Sequence, residues 1–288
     1  MKPDAVRGSL GAMDIRRLQS LSGLDGVAHA ISTRHGGVSR GAFESLNLGL
    51  HVGDDPEAVL KNRRRFCGAA GVEADSLVAG AQVLGNAVAW VTEADRGRGA
   101  REAHTALRDT DALVTVSPGV GLIAFSADCP LVALVDPVRR ALGLAHASRR
   151  GTLGGIAAKA VRAMQRLLGC QPADLFAAIA PSIGPCCYEV GDEILEEASP
   201  GADRYFARRD GRLYLDLWAA NVEQLIAAGV AADRVEVSGV CTCCHADQFF
   251  SYRAARGATG RFALVLALTQ GQAKEGRGAA EEASPRGA

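Results

Sequence analysis

The sequence predicts an α/β protein, in which one domain contains a mixed β-sheet covered by helices. Many short apolar runs rich in β-branched residues have the length of strands, whereas few segments show helical periodicity. No linker-like change of composition and no repeat of fixed period interrupts residues 21–270. Many strands with few helices favour a mixed sheet over a regular βαβ array.

The strands and helices can be placed from the apolar pattern and the capping residues. A first helix is expected to follow the N-cap Asp55 and Pro56 and to end near Ala70. Two more helices are expected at 152–168 and 216–228, where apolar residues recur at helical spacing. The predicted strands are 27–33, 82–91, 111–116, 121–126, 131–136, 140–146, 175–180, 234–238 and 262–268.

Composition excludes several classes of function. The chain has 288 residues, and its 32 Lys and Arg balance 32 Asp and Glu, so no basic footprint indicates binding to nucleic acid or to an anionic membrane. No apolar stretch has the length of a signal peptide core or a membrane span, and we expect a cytoplasmic protein with free thiols. Residues 1–20 are predicted to be a loose lead-in and 271–288 a disordered tail.

Cys129 and His146 stand out as candidates for chemistry. Cys129 lies in a polar break between the predicted strands 121–126 and 131–136, and His146 ends the strand 140–146. Ligands collect at the carboxyl ends of strands in α/β folds. A thiolate and an imidazole both bind zinc, and together they also form a nucleophile–base pair. The alternative is that Cys129 is a small buried apolar residue and His146 a satisfied core histidine.

Four polar residues are candidates for binding a substrate. Arg149 and Arg150, beside the free N–H groups at the start of the helix 152–168, would present positive potential to an anion. Arg34 and Asn47 lie in polar, glycine-rich loops and would suit anionic or amide groups. The alternative is that these are solvated turns without a ligand.

The segment Cys241-Thr-Cys-Cys244 resembles a metal knuckle or a redox pair. A structural zinc would need a second pair of ligands, which only Cys186 and Cys187 or the nearby His245 could provide. We expect these cysteines to be buried, inert thiols.

A series of motifs in a fixed order resembles the laccase-domain proteins, which include the bacterial peptidoglycan editing factor and multifunctional purine nucleoside enzymes. The resemblance covers roughly residues 27–268. Its motifs are TRHGGVS (33–39), SLNLGLHVGDDPEAVLKNR (45–63), DALVT (111–115), ADC (127–129), AHA (145–147), RG (150–151), SIGPCCYEVG (182–191) and FFSYR…TGR (249–261).

This resemblance implies a single-domain α/β sandwich, similar also to cysteine-hydrolase toxins that use a Cys–His dyad. It implies zinc-dependent phosphorolysis and adenosine deamination of purine nucleosides, whereas an older description as copper polyphenol oxidases is weakly founded by comparison. The family's metal site is similar to a His–Cys–His set, whose Cys and second His fall on Cys129 and His146. Tyr188, within the 182–191 motif, is a further candidate for substrate binding.

The chain departs from the family pattern at the implied metal site. The family's first histidine, in Gln-Val-His-Gly, is replaced by Leu84, which cannot bind a metal. The aromatic residue of Gly-Trp-Arg-Gly is replaced by Arg149, which would favour an anionic group. Two protein ligands bind zinc less firmly than the usual three, unless His104, His35 or a nearby cysteine replaces the missing one.

Three hypotheses for function follow. The first is a family enzyme with a rebuilt zinc site, in which Arg34, Arg150 and a helix N-terminus hold phosphate against a nucleoside. The second is a metal-free hydrolase or transferase that uses Cys129 as nucleophile and His146 as base on another small, anionic or biosynthetic substrate. The third is a binding protein that keeps the pocket without the chemistry.

Overall fold

The computed structural model describes residues 13–198 and 200–269. Its strands are β1 (Ile15–Arg16), β2 (Val27–Ser32), β3 (Leu77–Ala79), β4 (Val88–Trp90), β5 (Ala112–Thr115), β6 (Gly121–Ser126), β7 (Leu131–Asp136), β8 (Ala141–His146), β9 (Phe176–Ile179), β10 (Glu189–Val190), β11 (Phe206–Arg209), β12 (Arg212–Leu215), β13 (Val235–Val237) and β14 (Phe262–Leu268). Its α-helices are α1 (Gln19–Ser22), α2 (Pro56–Ala70), α3 (Arg149–Leu153), α4 (Ile156–Leu168), α5 (Asp192–Glu196), α6 (Leu217–Ala227) and α7 (Tyr252–Ala255).

Two large mixed sheets form the body of the molecule. The first has the order β1-β2-β14-β6-β3, in which only the β3–β6 pair is parallel. The second has the order β13-β9-β7-β8-β5-β4, with parallel pairs at its two edges and antiparallel pairs between them. A small antiparallel sheet, β10-β12-β11, lies to one side. The prediction of an α/β fold with mixed sheets is therefore confirmed.

The two large sheets pack face to face and are covered by helices on their outer faces. Ile31 and Leu264 of the first sheet share one apolar core with Leu144 of the second. The outer face of the second sheet packs against α4 and α6, and the outer face of the first packs against Phe66 of α2. Every residue of β6, β7, β8 and β14 is buried, which explains why these strands are continuous apolar runs in the sequence.

Two of the predicted helices begin where their caps indicate. The side chain of Asp55 accepts the N–H of Glu57 at 3.1 Å, and α2 ends at Gly71 in the left-handed conformation. The side chain of Asp216 accepts the N–H of Ala219 at 2.9 Å at the start of α6.

Two other predicted elements are wrong in extent. The segment 152–168 is divided between α3 and α4, because Gly155 adopts a φ of 78° between them. The segment 82–91 forms a strand only in β4, because Gln82 and Leu84 have φ values of 51° and 61° that a strand cannot accommodate. The short strands β1, β3, β10, β11 and β12 carry no clear apolar alternation and were not predicted.

The N-terminal part of the described chain is packed rather than loose. β1 pairs with β2, and Leu18 is only 1% exposed in the core between the sheets, so residues 13–20 differ from the predicted lead-in. Residues 1–12 and the predicted tail, 271–288, lie outside the described residues. Among the described helices, none has both the length and the apolarity needed to cross a membrane.

Candidate active site

Cys129 lies on a tight turn that joins β6 to β7 and thereby links the two large sheets. The preceding residue, Asp128, has a φ of 106°, a conformation that costs a non-glycine residue about 1–3 kcal/mol. Three hydrogen bonds hold it there. Its carboxylate accepts the hydroxyl of Thr242 and the backbone N–H of Arg253, both at 2.7 Å, and its carbonyl accepts the N–H of Ile183 at 2.7 Å. The anchored turn leaves Cys129 half-buried at a cavity.

His146 ends β8 and is held by a buried carboxylate. Its Nδ1 lies 3.0 Å from Oδ1 of Asp111, which directly precedes the neighbouring strand β5. The carboxylate of Asp111 also accepts the N–H groups of Leu84 at 3.1 Å and Gly85 at 2.8 Å. Cys129 lines the same cavity as this imidazole and acts on it through its charge, so Cys129, His146 and Asp111 form one array.

The charges of this array determine the protonation of His146. Burial alone would lower the pKa of the imidazole, but the negative charge of Cys129 and the hydrogen bond to Asp111 raise this pKa to about 9. Burial would raise the pKa of Asp111, but the hydrogen bonds from His146 and Gly85 lower it. The pKa of His146 is therefore well above that of a free imidazole when Cys129 carries a negative charge.

The array borders a cavity of about 390 Å³, within the range of small-molecule sites. Apolar atoms of Leu84, Phe125 and Ile183 form part of its wall. Polar groups come from His51, Gln82, Ser126, Asp128, Tyr188, Tyr252, Arg253 and Arg261. Two larger clefts, of about 570 and 530 Å³, lie elsewhere and include neither Cys129 nor His146 in their walls.

Arg261 supplies positive charge to this cavity. It is half-buried, and its backbone N–H donates to Oδ1 of Asn47 at 2.8 Å. Burial lowers the pKa of its guanidinium, while the negative charges of Cys129 and Asp128 act in the opposite direction. An arginine retains its charge under such a shift, so Arg261 is a cation that faces the candidate nucleophile.

His51 lies at the rim of the cavity. Desolvation by its surroundings lowers the pKa of its imidazole, and the charges of Arg261, Arg63 and His146 lower it further. His51 is therefore neutral at neutral pH, in contrast to His146, whose pKa is raised.

Of the predicted site residues, the structure brings Cys129, His146 and Tyr188 together at the cavity. Leu84, at the family's third ligand position, lies there as well and is 45% exposed. Burial and the charge of Cys129 raise the pKa of the Tyr188 phenol, which therefore stays protonated and can donate a hydrogen bond. These residues keep their predicted roles as proposals.

The other predicted substrate-binding residues do not line the cavity. The guanidinium of Arg34 donates to the carbonyls of Glu44 and Ala246, and Asn47 is fully buried with both ends of its amide bonded to protein. Asn47 contributes to the cavity only indirectly, because its Oδ1 accepts the backbone N–H of Arg261. Arg149 and Arg150 belong to the five-residue helix α3, whose first turn is capped by the side chain of Ser148.

Sequence reasoning missed three residues of the site: Asp111, His51 and Arg261. Each stands in a segment that carried the family resemblance, namely DALVT, SLNLGLHVGDD and TGR. The signal was present, but charged residues in polar segments do not reveal which cavity they face. Only the pairing of β5 with β8 and the fold of the β14 entry loop bring them to His146 and Cys129.

The donor set of the cavity does not fit a three-ligand catalytic zinc site. Cys129 and His146 supply two ligands, and Leu84 supplies none. The proposed replacements lie elsewhere: His104 is exposed beside Glu102, and the imidazole of His35 contacts the carbonyl of Asp247 at 2.6 Å. Within the described parts of the chain, the donor atoms of three or more His, Cys, Asp or Glu side chains lie within 4.8 Å of one another only at a different place.

That place is the cysteine cluster, which consists of Cys186, Cys187, Cys241 and Cys244. The expectation of buried thiols is wrong for this group. Cys186 and Cys244 are exposed, Cys187 is half-buried and only Cys241 is buried. The loop that follows β9 and the loop that follows β13 fold against each other and bring the two cysteine pairs together.

Known proteins are similar to this chain over most of its length. Residues 28–269 match the family described as multi-copper polyphenol oxidoreductase laccase. The chain is 42% identical over 246 residues to purine nucleoside phosphorylase YlmD of Geobacillus stearothermophilus, covering 84% of this chain and 90% of the relative. It is 36% identical to adenosine deaminase RL5 from an unknown prokaryotic organism, covering 84% and 94% of the two chains.

A solved structure agrees over nearly the same length. The crystal structure of the Bacillus licheniformis hypothetical protein YfiH superposes with a TM-score of 0.84 at 36% sequence identity, covering 91% of this chain and 98% of that one. The match of the family over most of the sequence and the match of the fold point to the same relationship. This chain therefore belongs to the multi-copper polyphenol oxidoreductase laccase family.

Proposed function

We propose that this chain is an enzyme that processes purine nucleosides at the Cys129–His146 cavity, by phosphorolysis or by deamination. The names of its relatives, purine nucleoside phosphorylase and adenosine deaminase, support the substrate class. The observation that carries the proposal is the Cys129–His146–Asp111 array, which faces the cation of Arg261 across a cavity of small-molecule size.

The array provides the groups that phosphorolysis needs. Arg261 would hold a phosphate by charge-assisted hydrogen bonds, and the apolar atoms of Leu84 and Ile183 would contact the base. An oxygen of the phosphate attacks the anomeric carbon of the ribose, and the bond from that carbon to the purine nitrogen breaks. The electron pair leaves with the purine, and protonated His146 is placed to neutralise it as a general acid. Asp111 keeps that imidazole oriented and charged.

The family resemblance also implies that the activity depends on zinc, but the donor set of the Cys129–His146 cavity argues against a three-ligand zinc site there. The steps above use side chains of this chain alone. In this proposal Arg261 takes the phosphate-binding role expected of Arg34 and Arg150, and the substrates are a nucleoside and inorganic phosphate.

A second candidate is favoured by the linear order of the array. In cysteine hydrolases and transferases, an acidic or amide side chain orients a histidine that activates a thiol. Asp111, His146 and Cys129 have this order, and the anchored φ of Asp128 fixes the thiol at the cavity. Such an enzyme would form a bond between the sulfur of Cys129 and an electrophilic carbon of a small substrate whose anionic group contacts Arg261. The bond from that carbon to its leaving group would break, His146 would protonate the leaving group, and water or another acceptor would then displace the sulfur.

The test is an assay of the purified chain on inosine and adenosine, with and without phosphate, with products separated by chromatography. The proposal expects phosphate-dependent release of hypoxanthine from inosine or conversion of adenosine to inosine. Absence of both reactions contradicts it. If a single cysteine is then alkylated much faster than a simple thiol, and this rate falls in Cys129→Ser, the second candidate is supported. Thermal stabilisation by nucleosides without turnover would instead indicate a binding protein.

A further inference from the structure

The cysteine cluster is assembled by two loops that are joined through their backbones. The N–H of Ser182 donates to the carbonyl of Val240, and the N–H of Thr242 donates to the carbonyl of Ser182, both at 3.1 Å. This short parallel bridge places Cys186 and Cys187, after one strand of the bridge, beside Cys241 and Cys244 on the other. The four residues are distant in sequence, so their meeting is a product of the fold.

The spacing of the four sulfur atoms is that of a metal site. All four lie within 4.8 Å of one another, and Sγ of Cys244 lies 3.4 Å from Sγ of Cys187 and 3.6 Å from Sγ of Cys186. A tetrahedral zinc with Zn–S bonds of about 2.3 Å has sulfur–sulfur edges of about 3.8 Å. We propose that Cys186, Cys187, Cys241 and Cys244 bind one Zn²⁺ in a tetrahedral thiolate site, separate from the Cys129–His146 cavity.

The surroundings of the sulfurs support thiolate ligands. Cys241 and Cys244 have the C-x₂-C spacing of zinc knuckles. The backbone N–H of Gly184 donates to Sγ of Cys241 at 3.2 Å, a bond that stabilises negative charge on this sulfur. His245, which the sequence offered as another ligand, has its Nδ1 3.0 Å from the carbonyl of Cys241, so thiols supply all four donors.

Positive charge lies next to the cluster as well. Four thiolates and one Zn²⁺ carry a net charge of −2, which nearby cations would offset. The guanidinium of Arg253 donates to the carbonyl of Cys187 at 2.9 Å, and that of Arg209 donates to the carbonyl of Pro185. A set of four soft sulfur donors in a tetrahedral arrangement selects zinc over the hard cations magnesium and calcium.

The site would position the catalytic turn. Ile183 and Thr242 belong to the two loops that the metal would join, and both hold Asp128 in its strained conformation next to Cys129. A bound metal fixes the distance between these loops and therefore the anchors of the turn. The four cysteines themselves do not line the cavity, so they act as positioning residues.

The first test is the metal content of the full chain purified without chelator, measured by elemental mass spectrometry. We expect about one zinc per chain in the wild type and in Cys243→Ser, a matched control from the same Cys-Thr-Cys-Cys segment. We expect loss of most of that zinc in Cys186→Ser and in Cys244→Ser. Cys129→Ser should keep its zinc. Zinc that survives in Cys244→Ser but is lost in Cys129→Ser would place the metal in the cavity and overturn the proposal.

The second test uses the wild type alone, so it does not depend on the folding of a variant. Cobalt exchanged into the protein should show the intense sulfur-to-cobalt absorption of a tetrahedral thiolate site. Titration of thiols in denaturant with chelator should find all eight cysteines reduced. A lower count means a disulfide in the cluster and overturns the proposal, as does a full count with no bound metal. These readouts do not involve nucleosides, so they stand or fall apart from the proposed activity.

Discussion

Two regions of this molecule present thiols to solvent, and they differ in the chemical groups that surround the sulfur atoms. Cys129 is one sulfur among an imidazole, a carboxylate and a guanidinium, supplied by His146, Asp111 and Arg261. The cysteine cluster contains four sulfurs, one of which accepts a backbone N–H, and its donor atoms include no imidazole or carboxylate. Mixed acid–base surroundings suit proton transfer, whereas a uniform set of soft donors suits a closed metal site.

The two regions are also connected. Asp128 accepts hydrogen bonds from the loops that carry the cysteine cluster and directly precedes Cys129. Metal bound to this chain therefore does not by itself show that the Cys129–His146 cavity holds a metal or is active. A stoichiometric zinc would be explained by the cluster, while turnover would be explained by the cavity.

The largest expected effect comes from replacing His146, which belongs to the cavity and not to the cysteine cluster. The variant His146→Gln keeps a polar side chain of similar size but cannot carry the proton. We expect purine turnover to fall by about 10²–10⁴-fold, the usual contribution of a general acid. Zinc content should not change, because His146 is not part of the cluster.

His35→Gln is the matched control for this variant, since His35 is an exposed histidine outside the cavity. Its turnover should equal that of the wild type. Because His146→Gln leaves Asp111 buried without its partner, thermal unfolding must confirm that the variant is folded at the assay temperature. Retention of more than about a tenth of wild-type activity by folded His146→Gln would contradict the general-acid role.

The central strands and the two main site residues could be predicted from the sequence for a physical reason. β6, β7, β8 and β14 are buried on both faces, so nearly all of their residues are apolar and the strands are visible in the sequence. Cys129 follows β6, and His146 is the last residue of β8. The segment 82–91 shows the opposite case. Its apolar residues resemble a strand, but Leu84 adopts a positive φ and donates its N–H to Asp111, a contact that depends on a residue 27 positions away.

The cationic residue of the site could not be chosen from the sequence. Arg34, Arg150 and Arg261 all lie near glycines in polar segments, and local pattern does not distinguish them. The structure separates them by position, because Arg34 and Arg150 do not line the cavity and Arg261 does. The guanidinium of Arg261 also donates to the carbonyls of Thr259 and Gly260, which hold it in place.

The second largest expected effect comes from replacing Arg261, and it tests whether this arginine or Arg150 binds the phosphate. In Arg261→Gln one of the two arginines that line the cavity is lost, and we expect the KM for phosphate to rise by roughly 10–100-fold, as for a lost hydrogen bond to a charged group. Arg150→Gln, the matched control, should leave that KM within about twofold of wild type. Initial rates at saturating inosine and varied phosphate measure both. A rise in Arg150→Gln without a rise in Arg261→Gln would mean that α3, and not the residue before β14, binds the anion.

The smallest expected effect is on the free energy of unfolding, which should depend on pH through the protonation of His146. The pKa of His146 is raised from 6.5 to about 9 in the folded protein, so the folded state binds this proton more tightly than the unfolded chain does. The resulting stabilisation is complete below about pH 6.5 and is lost as the pH rises through about 9. Between pH 7 and 10 we expect the free energy of unfolding to fall by on the order of 2 kcal/mol from this group. Denaturant titrations at each pH measure it, and the loss should be absent in His146→Gln, which keeps the other titratable groups of the chain. An equal fall in wild type and variant would assign the pH dependence to those other groups rather than to His146.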